Sequence, residues 1–599
     1  MLLACVVPAE EPPAPDLREL VEQLGHPVYE ERLDARRRLS EQGLAAFDVI
    51  REARTNPDPE IAHACERLLD EVAESLVRSD DPAAVRRWLT AYAVSEPSDR
   101  LDVVSVLADL PGQQAVPALV RLARFDPSDN GAREAARAVL ALPDDNRPDS
   151  RRAEERDAAL VETIAELDAA YGPGQRPAAR WLAVAADEAG NPGSKEIAER
   201  WAKFANRARL DYAKPRREAS LEVVATLHWR WLNAALVADD TPGATAAIDA
   251  LVALDPEDAI VRLGCAARWA ADTDRWAVVE TLIDTHDGLL DTKRGLYLLA
   301  DVAARRGNAA EAARLAEQAL ESDLDENNVT VKEVLLGPRV TVAAELYEIG
   351  RTEWCLAEYT EAAKSSDKID GRAAVAAWKL SNLLFDAERY VEAAVALTPI
   401  TDAISKSRSA KGEYMQLPQV QRGLLPEAGT LISRRRFSEA LSQRAVGDDK
   451  AQMKSLRKAI AAEPNDADVL IAMYRVPDPP VAFAADTKRR IAAMRRDFES
   501  DIWNSPTEAD PFNQWAWLVS NTEGDFEKAV RYSRRSLQIA PDTAGYLDTL
   551  GRCLFSAGRI EEAVEVQRRA VELEPRLQVL ARQLAEFEAA LDAQQQDLP

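Results

Sequence analysis

Residues Ala544–Leu577, AGYLDTLGRCLFSAGRIEEAVEVQRRAVELEPRL, repeat the pattern of the 34 residues before them, Asp510–Thr543, DPFNQWAWLVSNTEGDFEKAVRYSRRSLQIAPDT. Gly524 and Gly558, Ala529 and Ala563, and Pro541 and Pro575 are each separated by that 34-residue period. Each pair has a physical job. The glycines end a first helix, where backbone at positive φ is needed. The alanines sit where two helices cross too closely for a larger side chain. The prolines close a second helix, because proline cannot donate to the helix ladder. Leu547, Leu550 and Leu554, then Ile560, Val564 and Leu573, place apolar faces at helical spacing. One such helix pair cannot bury its face alone, so the pattern predicts stacked neighbours.

In the second copy Leu550-Gly551, Gly558, Ala563, Ala570 and Pro575 fall in one register. This resembles the tetratricopeptide repeat, a helix–turn–helix unit of about 34 residues. The resemblance implies a superhelix whose concave surface is lined by the first helices of the repeats. Carried onto this chain, the lining residues are Pro511, Gln514, Leu518 and Asn521, then Gly545, Asp548, Arg552 and Ser556. Gln514, Leu518, Asn521, Asp548, Arg552 and Ser556 are therefore the candidates for a peptide groove, where side chains would hydrogen-bond an extended partner. Plain solvation of the same residues is the other reading. Some members of the family clamp a terminal carboxylate with lysines, asparagines and an arginine. Asn521 and Arg552 match part of that set, and its lysines are missing here. The register puts Trp517 in the core, and leaves Trp515 open between core and ligand platform.

Outward from this pair, the same frame returns at residues 225–258, 259–292 and 293–326, the last with Gly307, Ala312 and Ala319 in their slots. Degenerate copies follow near 336–369, 374–407 and 433–466. Residues 225–466 thus read as a degenerate array with an insertion near 408–432, and 467–509 as a proline-rich break and a linking helix. Residues 510–577 are the two clear repeats, and 578–599 a capping helix with a disordered tail. Upstream, paired helices joined by Pro57-Asp58-Pro59-Glu60 resemble HEAT repeats, and 16–145 is assigned to that class. There Asp58 is an N-cap candidate and Pro59 the first helical residue. Residues 146–224 are a helical connector of no assigned class. The fold class expected is all-α, an α-solenoid of HEAT-like repeats followed by a tetratricopeptide superhelix.

Residues 1–15 form an apolar leader, MLLACVVPA, and a proline-rich linker. The leader resembles the end of a secretory signal but lacks a basic n-region and a full h-region. Leu2-Leu3-Ala4-Cys5 resembles a bacterial lipobox, which makes Cys5 the candidate for lipidation and a lipid anchor. Export to a cell envelope or periplasm and a cytoplasmic location both stay open. No other stretch approaches a transmembrane span.

The net charge of -27 disfavours nucleic acid as a partner, since phosphates need a basic face. The runs Arg434-Arg435-Arg436 and Lys488-Arg489-Arg490 read as solvated helix faces. The five cysteines lie far apart and read as small apolar residues. No HExxH, no Cys/His metal spacing, no GxSxG and no phosphate loop is present. The sequence therefore predicts no catalytic residues, no cofactor and no metal. It predicts a non-catalytic scaffold that binds a protein or extended peptide. Its alternatives are a peptide- or ligand-responsive sensor on the same superhelix, and an enzyme with an unrecognised site in residues 150–222.

Overall fold

The structure is a computed structural model that describes residues 16–95, 99–110, 113–141, 150–214, 219–322, 335–364 and 369–596. Cys5 and the whole leader, residues 1–15, lie outside the described residues, as do residues 597–599 of the expected tail. Among the described residues there is no β-strand, and the chain is an all-α solenoid. It divides into two compact units, Met1–Leu315 and Ala316–Pro599. No described helix is long and apolar enough to cross a membrane.

The first unit has one continuous apolar core running from Leu20 to Val302. Its helices begin where short polar side chains can take the free N–H groups of a first turn. Asp58 accepts the Glu60 N–H at 2.9 Å ahead of Pro59–Val72, and Ser220, Asp240 and Thr292 cap later helices in the same way. Val116–Phe125 is the most enclosed helix, with Ala118 through Phe125 all buried. It carries two arginines inward. Arg121 donates to both carboxylate oxygens of Asp81 at 2.6 Å, and Arg124 to Asp168 at 2.7 Å. Burial of these charges is tolerable because each is paired.

The second unit is a run of helix pairs. Pro338–Glu348 pairs with Thr352–Ala362, Gly371–Asp386 with Tyr390–Ser405, and Ala428–Ala445 with Asp449–Ala462. Then Ala467–Tyr474 pairs with Val481–Asn504, Asp510–Ser520 with Phe526–Ile539, and Ala544–Ser556 with Ile560–Leu573. The small-residue slot is buried wherever it can be followed: Cys355, Ala393, Ala529 and Ala563 have no exposed surface. Gly350, Gly447 and Gly558 take φ of 75°, 74° and 79° in the turn between paired helices. Glu388 occupies the same turn at φ 57° without being glycine, so the turn persists where its sequence mark is lost.

The final helix, Gln578–Gln596, packs on the last pair and continues through three residues of the expected tail. Its start also returns to the opening pairs of the unit. Arg576 donates to the Glu348 carboxylate at 2.7 Å and to the Glu348 carbonyl. Asp386 accepts the backbone N–H groups of Gln578 and Val579, both at 2.8 Å. Arg582 pairs with Asp386 and Glu388.

Candidate functional site

Successive first helices of the second unit bound a cavity of about 500 Å³. Ala428–Ala445 contributes Thr430 and Arg434, and Asp510–Ser520 contributes Asn513, Gln514 and Trp517. Ala544–Ser556 contributes Gly545, Asp548 and Thr549. Glu463, Asn465, Asp466 and Asp468 come from the loop and first turn of Ala467–Tyr474, and Phe498 from the long helix behind it.

The carboxylates are held by neutral donors. Glu463 accepts the Thr430 hydroxyl at 3.1 Å. Asp466 caps its helix through the Val469 N–H and accepts the Ser433 hydroxyl at 2.9 Å. Asp468 accepts the Trp517 indole N–H at 2.8 Å. Asp548 accepts the side-chain amides of Gln567 and Gln583 at 2.7 and 2.8 Å, both on Oδ1. Burial pushes the Asp548 carboxyl up to about 6, and nearby Asp468 adds to the shift while Gln567 and Arg552 oppose it. Burial likewise raises Asp466, with Asp468 adding to it.

The six groove candidates occupy different surroundings. Gln514 is exposed and, with Asp548, lines the cavity. Leu518 is fully buried. Asn521 accepts from Arg475 and donates to the Trp517 carbonyl. Arg552 forms a two-bond ion pair with Glu586 at 2.8 and 2.6 Å and reaches Gln583. Ser556 donates to the Ser520 carbonyl at 2.7 Å, and the residue one period after Asn521 is Phe555.

Trp517, expected in the core, lies outside it, and Trp515, whose place the sequence left open, is the one in the core. Trp515 is fully buried against Tyr532, whereas Trp517 is half-buried and lines the cavity. One period later the Trp517 position is Gly551, where a Cβ would come within 2.6 Å of Gln567 Oε1. The register position is a close helix approach, and an indole does not fit into a gap of that kind.

Asp466 and Asp468 were not foreseen, because 466 read as the end of a degenerate copy and residues 467–509 as a break. A signal exists: Pro464, Ala467 and Leu470 have the same spacing as Pro541, Ala544 and Leu547, the start of the clearest repeat. Of the basic runs, Arg436 pairs with Glu439, Arg489 and Arg490 with Asp486, and Lys488 with Glu523. Arg434 lies over the Phe385 ring at 4.5 Å. Cys65, Cys355 and Cys553 are buried free thiols, and burial pushes Cys65 up to about 11 and the other two up to about 12. No cluster of three metal-ligating side chains occurs among the described residues.

The tetratricopeptide repeat family model matches residues 544–577. No curated protein matches the chain. Among solved structures, a human IFIT1 dimer with PPP-AAAA is similar at 13% identity, over 81% of this chain and 96% of that one, with a TM-score of 0.17. A circular tandem repeat protein with novel repeat topology and enhanced subunit contact surfaces is similar at 14% identity, over 92% of this chain and 96% of that one, with a TM-score of 0.12.

Proposed function

We propose that the chain is a non-catalytic interaction scaffold that holds an extended segment of a partner protein against the first helices of its C-terminal repeats. The observation that carries this reading is the open cavity at Gln514 and Asp548, built from four first helices in succession. Its volume lies in the range of ordinary ligand sites, and its walls offer separate polar groups rather than one reactive centre. In this reading Leu518, Asn521, Arg552 and Ser556 shape the groove from behind. Residues 16–145 serve as a HEAT-like extension of the scaffold. Placement in a cell envelope rests on Met1–Ala9, and mass spectrometry of the mature N-terminus from native cells tests it.

The test of the scaffold is a mixed-sequence peptide library offered to the full-length protein. Bound peptides raise the melting temperature, because a ligand selective for the native state stabilises it. They also slow amide exchange in Ala467–Tyr474, Asp510–Ser520 and Ala544–Ser556. A library that leaves both unchanged rules the reading out.

The return contacts of Arg576 and Asp386 favour a second reading, the ligand-responsive sensor. A ligand that alters the curvature of the pairs between them would open or tighten these exposed contacts. Fluorescence energy transfer between labels at positions 348 and 576 would change on peptide binding, and an unchanged signal with bound peptide removes this reading.

A further inference from the structure

In the first unit, Tyr29–Gln42 and Pro59–Val72 bound an open groove of about 530 Å³. Its apolar wall is made of Leu24, Tyr29, Leu33 and Ala64. Tyr29 and Leu33, one helical turn apart, are 66% and 53% exposed, and Val28 beside them is 49% exposed. The inward face of the same helix is already supplied by Ala35 and Leu39, so the core does not need Tyr29 or Leu33. Large apolar side chains gathered in the open mark a docking surface.

The rim has the opposite sign from the protein as a whole. Three arginines and one glutamate line the groove, in a chain of net charge -27. Arg32 is paired with Glu60 at 3.3 Å, and Arg36 with Glu71. Arg67 is exposed and makes no hydrogen bond or ion pair with any described residue. The groove therefore suits an apolar segment followed by carboxylates. The chain carries one close by: Leu2, Leu3, Val6 and Val7 are followed by Glu10 and Glu11. Residues 10–15 join that segment to Asp16, which caps Leu17–Gln23. This helix is about 10 Å long, and Leu24, just past its end, lies in the groove. The joining residues can reach up to about 20 Å, so they span the helix with length to spare.

We propose that residues 1–7 dock in this groove on their own chain, with their leucines and valines against Tyr29 and Leu33, and with Glu10 and Glu11 opposite Arg36 and Arg67. The contact hides the open apolar side chains and keeps other segments off them. It goes beyond the scaffold reading and does not depend on it. Cleavage after Ala9 would uncover the groove.

Photo-crosslinking of the full-length protein tests it, with p-benzoylphenylalanine in place of Tyr29 and Met1 confirmed by intact mass. Adducts located by mass spectrometry are expected on residues 1–9 of the same chain. Leu33→Asp should lower their yield about fivefold through lost apolar contact. Arg67→Glu should lower it about threefold, the scale of an exposed ion pair. Glu10→Arg and Glu11→Arg, combined with Arg67→Glu, should restore it. Val94→Asp, at an 83% exposed position outside the groove, controls for added charge and should leave the yield unchanged. A free decapeptide of alternating leucine and glutamate should compete only near about 1 mM, the effective concentration that a short tether supplies. Competition at micromolar levels would give the groove to a separate acidic partner and overturn the proposal. So would adducts elsewhere in the chain, or adducts joining two copies in a mixture of isotope-labelled and unlabelled protein. Equal losses from Leu33→Asp and Val94→Asp, or no recovery on charge reversal, would overturn it as well.

Discussion

Arg176 donates to the backbone carbonyl of Asp126, at 2.6 Å, and not to its carboxylate. The other guanidinium nitrogen goes to Asp129 at 2.6 Å and to the Ser128 carbonyl. Asp126 is fully buried; its Oδ1 accepts the Ser128 N–H and its Oδ2 has no partner. Burial pushes its carboxyl up to about 7, with the Ser128 bond and Arg176 only partly opposing the shift. The folded state thus keeps this proton to near neutrality, while an unfolded aspartate releases it near pH ~4. Between those values the native state binds more protons, so this group makes stability fall as pH rises. Asp126→Asn should flatten that slope and raise the urea midpoint at pH 8 relative to wild type, with little change at pH 4. Parallel pH profiles for the two proteins would refute this.

The start of the last helix depends on a residue far back in the chain. Asp386→Ala removes the acceptor for the Gln578 and Val579 N–H groups. Loss of a capping carboxylate costs about 1 kcal/mol. Amides at 578–581 should exchange faster in hydrogen-exchange mass spectrometry, and Asp386→Asn should restore most of the protection.

The alanine slot is sensitive to added volume. Ala563 has no exposed surface, and Ala563→Leu should destabilise the second unit by about 1–3 kcal/mol through overpacking. Denaturant titration measures it. A neutral outcome would mean that the two helices of the repeat can move apart freely.

Asp548 also belongs to a buried polar network. Gln583 donates to its carboxylate and to its backbone carbonyl, and Gln567 bridges to the Leu580 carbonyl. Gln583→Leu strips these acceptors of a donor, and should cost about 1–3 kcal/mol. Near-ultraviolet circular dichroism together with urea unfolding reports it.

Much of the fold was legible because the repeat writes its geometry in few residues. Gly558, Ala563 and Pro575 are each forced by backbone or by close approach, so their spacing is readable without partners. The cavity was only half legible. Gln514 and Asp548 follow from the register, but Asp466 caps and Asp468 opens a first helix of only eight residues, Ala467–Tyr474. A short helix leaves too few apolar positions for its period to show. The roles of Trp515 and Trp517 could not be read because both are large and apolar, and what separates them is the room at a neighbouring helix. Glu388 marks a further limit: tertiary packing holds its left-handed turn, and no glycine announces it.

Stacked repeats with only neighbouring contacts can gain or lose a unit at little cost, since each pair senses only the next. The return of Arg576 to Glu348 and of Gln578 to Asp386 removes that freedom from the second unit. An added helix pair between Asp386 and Arg576 would carry the last helix past its acceptors by the rise and rotation of one repeat. A deleted pair would leave it short. The number of repeats in this stretch is thus set by the geometry of its two ends, and changes of length are confined to loops that do not alter the count.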